Sequence, residues 1–275
     1  MPASFRLSCA GRSDPADLSL VECASLEELI DELQLALPAV EGKLVVDLRP
    51  GPRPPFSVPQ ALEAIVRELE HAPSTLEVRC LVANERARSV LTRCLPAAQR
   101  PRLETRCGSI SVQLECGDIT RVHADALVNA SNTRLELGGG VSGAIRSASS
   151  DPGALQAAMR RLAPLDEGRA VITASHGLPT PRLIHVATAN GRAETIAGGF
   201  RAVLELCAEH EFETLALPAL GAGTGGLSNA ASARLIATAL AQVSAACPRL
   251  VRIVTYERNA FDSFAAVFSD LASPA

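Results

Sequence analysis

Two glycine clusters carry the clearest chemical signal in this chain of 275 residues. The first, Gly138-Gly139-Gly140, runs straight into the apolar-periodic segment Val141–Ser149. A loop without side chains that leads into a helix presents unpaired N–H groups and the positive end of the helix dipole, which suits a phosphate or diphosphate. The alternative is a glycine-rich turn closing a strand–helix unit, although three successive glycines exceed what a turn requires. The second cluster, Gly221-Ala222-Gly223-Thr224-Gly225-Gly226, formally satisfies G-x-G-x-x-G. No Asp or Glu lies between Glu213 and Glu257, so the acidic residue that a dinucleotide site places about 20 positions on is missing. No Lys follows the glycines, which excludes a P-loop. What remains is a second backbone cradle for an anion, and two such loops on one sheet edge would close around a single diphosphate.

Other constellations are weaker. Ser142 sits in Gly140-Val-Ser-Gly-Ala144, which lacks the final glycine of a nucleophile elbow. His123, His176, His185 and His210 are not at helical metal-ligand spacing, and no metal is expected. His185, inside the apolar run Leu183–Ala187, reads as a hydrogen-bonded core histidine. The eight cysteines are scattered without a C-x-x-C pair, as buried thiols are.

The glycine clusters need a framework, and the pattern from residue 105 onward supplies one. Strands are expected at Ile110–Leu114, Ala126–Asn129, Ala170–Thr173, Leu183–Ala187, Thr214–Leu217 and Leu250–Tyr256. Helices are expected at Val141–Ser149, Pro152–Leu162, Ala193–His210, Ala230–Ala245 and Ala260–Leu271. Such alternation implies a central, largely parallel sheet covered on both faces, whose ligands gather at the carboxyl ends of the strands. Both glycine clusters follow strands.

Residues 1–104 differ in composition: they hold 3 of the 19 glycines but 11 of the 18 prolines. Leu95–Arg102, with Pro96 and Pro101, reads as a connector, dividing the chain into domains 1–104 and 105–275. In the first domain Ser25 and Glu28 suit a capping box for a helix with Leu26, Leu29, Ile30, Leu33 and Leu37 on one face. Lys43–Leu48 and Leu76–Val82 read as strands, Ala61–His71 and Glu85–Leu95 as helices, making a small α/β domain without a glycine-rich loop.

The formal net charge is −4 and only Lys43 is a lysine, so the chain is a poor candidate for neutralising nucleic-acid phosphates or for a polybasic membrane signal. With no Trp and one Tyr, stacking along a single strand is not expected. No segment approaches the roughly 20 apolar residues of a membrane span, and the opening residues lack a signal-peptide core, which suggests a soluble, cytoplasmic protein.

Residues 108–272 resemble a macrodomain, the ADP-ribose-binding fold. Gly117-Asp-Ile-Thr120 matches the family's opening motif, Asp125-Ala-Leu-Val-Asn-Ala-Ser-Asn132 its D-A-(I/V)-V-N-A-A-N, and Gly138–Ile145 its G-G-G-V-x-x-A-I. Ala170–Thr173, Leu183–His185 and Leu217–Gly223 follow in the family's order. The resemblance implies a three-layer α/β/α macrodomain with a mixed, largely parallel sheet, preceded here by the small α/β domain. It also implies roles. Asp118 would accept from the adenine amino group, with Ile119 beside the ring and Tyr256 packing on it. Gly138, Gly139, Gly140, Val141 and Ser142 would meet the diphosphate and distal ribose from one side. Gly221, Ala222, Gly223, Thr224, Gly225 and Gly226 would meet them from the other. Asn132 would hydrogen-bond the distal ribose and hold the attacking water, the alternative being an Asx turn that opens the loop.

Two departures are visible. One hydrolase branch carries Asp where Ser142 stands, and Gly225 occupies a position often taken by Phe or Tyr. The resemblance therefore implies an enzyme that hydrolyses ADP-ribose adducts, either mono-ADP-ribosyl protein or O-acetyl-ADP-ribose, at the distal ribose without a cofactor. A non-catalytic ADP-ribose reader, whose first domain recruits a partner, is the competing expectation.

Overall fold

The computed structural model describes residues 4–9, 18–19, 26–36, 43–47, 58–69, 77–82, 85–95, 100–188, 191–223, 225–244 and 246–272. Ser25, Leu37, connector residues 96–99 and Thr224 lie outside them. The chain divides into two units, Met1–Pro101 with Glu257–Asn259, and Arg102–Tyr256 with Ala260–Ala275.

The first unit contains strands β1 (Ser4–Cys9) and β2 (Leu18–Ser19), helix α1 (Leu26–Ala36), β3 (Lys43–Asp47), α2 (Val58–Leu69), β4 (Glu77–Val82) and α3 (Glu85–Cys94). Its strands are all parallel, in the order β1-β4-β3-β2. Leu29 and Leu33 of α1 and Ala61 and Ile65 of α2 are buried, the face that helical spacing assigns to a core.

The second unit begins with β5 (Arg102–Cys107) and β6 (Ile110–Cys116), and continues with β7 (Ala126–Ser131), α4 (Gly140–Ala148) and α5 (Pro152–Arg160). Then come β8 (Ala170–Ala174), β9 (Arg182–Ala187), α6 (Ala193–Glu209), β10 (Thr214–Pro218), α7 (Asn229–Ala241), β11 (Leu250–Thr255) and α8 (Arg258–Ala272). The sheet order is β5-β6-β11-β10-β7-β9-β8, with the five inner strands parallel and the two edge strands antiparallel to their neighbours.

The burial pattern explains the layering. Strands β7 and β9 are buried on both faces, which is why they read as nearly continuous apolar runs. On one face Phe200 of α6, Ile236 of α7 and Phe264 and Phe268 of α8 pack against Val128, Ile184, Leu215 and Ile253. On the other, Ile145 of α4 and Leu155 and Met159 of α5 cover Leu127, Leu183 and Ala216. Helices on both faces leave the strand ends as the place where loops meet.

At the amino ends of β7 and β10, Asp125 latches the two strands. Its carboxylate accepts from the Thr214 N–H at 2.8 Å and the Thr214 hydroxyl at 2.9 Å. The first residue of the Asp125–Asn132 motif is therefore structural and lies at the edge opposite the glycine loops.

Candidate ligand cleft

Five parallel strands send their carboxyl ends to one edge. Gly117 and Asp118 follow β6, Tyr256 follows β11, residues 219–227 follow β10, residues 132–139 follow β7 and residues 188–192 follow β9. Since β7 and β10 are neighbours, the two glycine clusters lie on adjacent loops.

The first cluster opens α4 without a side-chain cap: Gly139 is the N-cap, and the first helical N–H to find a carbonyl is that of Gly143, on Gly139 O at 3.2 Å. The N–H groups of Gly140, Val141 and Ser142 thus have no intrahelical partner. In contrast, Asp151 caps α5 and Ser228 caps α7 through their side chains. A Cβ built at Gly138, Gly139 or Gly140 would meet no atom of a described residue within 4 Å, so packing against the described residues does not demand these glycines. Gly140 alone needs its residue type for conformation, at φ +57°. Donors without an intrahelical partner at a helix start suit an anion.

The second loop divides differently. A Cβ at Gly221 would run into the Ile196 side chain, and one at Gly225 would lie 2.7 Å from Gly221 O. Gly191, which the sequence reading did not single out, would collide with Gly225 O. These three glycines let two loop backbones touch, whereas Gly223 and Gly226 face open space. A larger residue at position 225 is excluded by that backbone contact, which accounts for the missing aromatic.

Asn132 follows β7 and takes part in holding the loop that leads to the first glycine cluster. Its Oδ1 accepts from the Glu136 N–H at 3.2 Å, which shapes the loop, and among the described residues no acceptor meets its Nδ2. Asp118 caps the 3₁₀ turn Ile119–Arg121. Its Oδ1 accepts from Thr120 N–H at 3.0 Å and the Thr120 hydroxyl at 2.7 Å, while Oδ2 lies 3.7 Å from Arg121 Nε. Ile119 is 7% exposed and packs in the core beneath the cleft, while Tyr256 is 64% exposed and so is not a core residue.

The Ser142 hydroxyl is buried, 2.7 Å from Asn129 Oδ1 and 3.2 Å from Ala130 O. Only its backbone N–H is left for a ligand. The hydroxyl begins a buried chain: Asn129 Nδ2 lies 3.0 Å from His185 Nδ1, and His185 Nε2 lies 2.8 Å from Thr173 Oγ1, which donates to Ala174 O at 3.0 Å. One proton assignment satisfies every member. Ser142 donates to Asn129, Asn129 donates to Nδ1 of neutral His185, and His185 Nε2–H donates to Thr173. Burial pushes the His185 pKa down to about 4, consistent with that neutral ring. The core-histidine reading of His185 holds.

Ser142→Ala leaves Asn129 Oδ1 buried without its donor. Stability should fall by roughly 1–3 kcal/mol, measured by urea unfolding. An unchanged unfolding midpoint would show that the hydroxyl is not part of the chain.

Burial raises the Cys107 and Cys207 thiols, the latter to about 12. Among the described residues no group of three or more His, Cys, Asp or Glu could hold a metal ion, and no helix is long and apolar enough to cross a membrane.

Comparisons with known proteins relate the second unit to macrodomains. A family model described as Macro domain matches residues 128–236. A macro domain-containing protein in the sno 5′ region of Streptomyces nogalater is 35% identical over 171 residues, spanning 58% of this chain and 93% of that protein. The ADP-ribose glycohydrolase MACROD2 of Xenopus laevis is 35% identical over 129 residues, 44% of this chain and 30% of that protein. Among solved structures, the Oceanobacillus iheyensis macrodomain with ADP matches at a TM-score of 0.57 and 23% identity, covering 62% of this chain and 97% of that one.

Proposed function

The chain belongs to the macrodomain family, and on that premise we propose that its cleft binds ADP-ribose and hydrolyses ADP-ribose adducts at the distal ribose. The observation that carries this reading is the pairing of unpaired N–H groups at Gly140, Val141 and Ser142 with the open space over Gly138–Gly140. A diphosphate seated there would meet the second glycine loop on its other side. Adenine would lie toward Asp118 Oδ2 and Tyr256, and the distal ribose toward Asn132 Nδ2. Binding energy from adenine and diphosphate would then fix the ribose, and a water held by the Asn132 amide would attack the bond to its substituent. The substituent would be the acidic side chain of a modified protein or an acetyl group.

A second reading, a reader that binds ADP-ribose without turnover, is favoured by one observation. The residue standing where one hydrolase branch carries Asp is a serine whose hydroxyl is turned into the core.

Both readings require binding. ADP-ribose at about a hundredfold excess over its Kd should stabilise the protein by about 2.7 kcal/mol, and AMP, which lacks the distal ribose, by less. No shift in melting temperature with ADP-ribose would remove the cleft assignment.

Adenine recognition has its own variant. Asp118→Asn keeps an Oδ1 that can cap the 3₁₀ turn but replaces the rim carboxylate oxygen with a donor. Titration calorimetry should show ADP-ribose affinity reduced about tenfold, in the range for a hydrogen bond to a charged group, with the melting temperature little changed. Wild-type affinity in this variant would contradict the pose.

A further inference from the structure

We propose that Gln156, on α5, is a positioning residue for the anion cradle: its side-chain amide clamps the backbone of the loop that delivers Gly138–Gly140. Gln156 Oε1 accepts from the Leu137 N–H at 2.9 Å, and its Nε2 donates to the Leu135 carbonyl at 2.9 Å. Only Gln and the shorter Asn carry both a carbonyl acceptor and an N–H donor on one uncharged side chain, so one residue closes two backbone groups that would otherwise compete for water.

The loop needs such a clamp. Leu135 has φ +52°, a left-handed conformation that a branched apolar residue adopts only where its surroundings over-determine it. Its side chain is fully buried and that of Leu137 nearly so, which pulls the loop inward. The flanking bonds complete the hold. Leu135 N–H donates to Asn132 O at 3.1 Å, Leu165 N–H to Thr133 O at 2.8 Å, Gly138 N–H to Glu136 O at 3.0 Å, and Arg146 to Leu137 O at 3.2 Å. Backbone pairing is therefore dense up to Gly138 and stops at the helix start, where the first three N–H groups have no intrahelical partner.

Gln156 is itself rigidly mounted. Leu155 and Met159 anchor α5 in the core with no exposure, and Asp151 caps the helix through the Ala154 N–H at 2.8 Å. The clamp thus transfers the rigidity of the core to the approach of the glycine run, so that the cradle is shaped before a ligand arrives and less ordering cost falls on binding. A carboxylate at position 156 would lose the bond to Leu135 O and place a negative charge beside the loop that receives a diphosphate.

The inference rests on the cleft binding a diphosphate ligand, and the test separates the two. Gln156→Met keeps the side-chain length without the amide, and Gln156→Ala removes both. Calorimetric titration of wild type and both variants with ADP-ribose and with adenosine is paired with amide hydrogen exchange. The expected result is ADP-ribose affinity lower by about tenfold in both variants, the scale of one lost preorganising contact, with adenosine affinity unchanged. Amides at 132–140 should exchange faster than in the wild type while those of β9 do not. Wild-type ADP-ribose affinity in the variants, or equal weakening of both ligands, would overturn the positioning role. A wild type that bound no ADP-ribose would overturn the cleft reading first and the inference with it.

Discussion

Asn132→Ala should lower the turnover of an ADP-ribose adduct by roughly 10²–10³, the range for removing one donor that acts in the transition state. The amide has two ends with separate duties: Oδ1 holds the Glu136 N–H, while Nδ2 meets no acceptor among the described residues. Losing Oδ1 loosens the loop and should weaken product binding modestly, because the diphosphate and adenine contacts remain. Losing Nδ2 removes the group that would hold the water. Asn132→Asp separates these effects, since a carboxylate oxygen still accepts from Glu136 while no donor is left. Its turnover should fall as far as that of the alanine variant. Steady-state kinetics on both variants is the check, and equal activity in wild type and Asn132→Ala would move the chemistry to another residue.

The second large effect is a loss of stability in acid. The His185 ring titrates near 6.5 in an unfolded chain and near 4 in the folded one, because burial disfavours its charged form. Above pH 6.5 both states are neutral and the group has no influence. As pH falls from 6.5 to 4 the unfolded state takes up the proton first, so stability drops, and below 4 the dependence ends. The shift corresponds to about 3 kcal/mol across that window. Protonation would also force a donor at Nδ1 against the Asn129 amide and break the chain that reaches Ser142 at the start of α4. Urea unfolding at a series of pH values should show this slope, and His185→Gln should flatten it even if the variant is less stable at pH 7. A wild-type profile that is level from pH 6.5 to 4 would exclude the buried neutral ring.

Much of this was legible in the residues. The central strands of the second unit read as apolar runs because both of their faces are covered, and the glycine clusters follow strand ends as alternation implied, while the adjacency of β7 and β10 was not legible. Strand β5 was not legible: Arg102, Glu104 and Arg106 give it the composition of a connector, and such charges are what an exposed edge strand tolerates. Strands β1 and β2 were missed as well, and β2, at two residues, is too short to show an alternating pattern. Orientation within a motif was the other gap. Ser142 follows the glycine run directly, yet the helical turn carries its side chain under the loop and onto Asn129. Gly191 and Gln156 act through backbone contacts with residues far away in sequence, and such contacts leave no spacing pattern. Which glycines serve packing and which leave room for a ligand became clear only once their neighbours were placed.

Hydrolysis by this protein would appear as release of free ADP-ribose. The protein is incubated with an acidic-side-chain-linked mono-ADP-ribosyl protein and, separately, with O-acetyl-ADP-ribose, and free ADP-ribose is followed over time. The expected result is multiple-turnover release from at least one substrate, abolished or nearly so by Asn132→Ala. No release from either substrate by protein whose melting temperature rises with ADP-ribose would contradict hydrolysis and leave a reader.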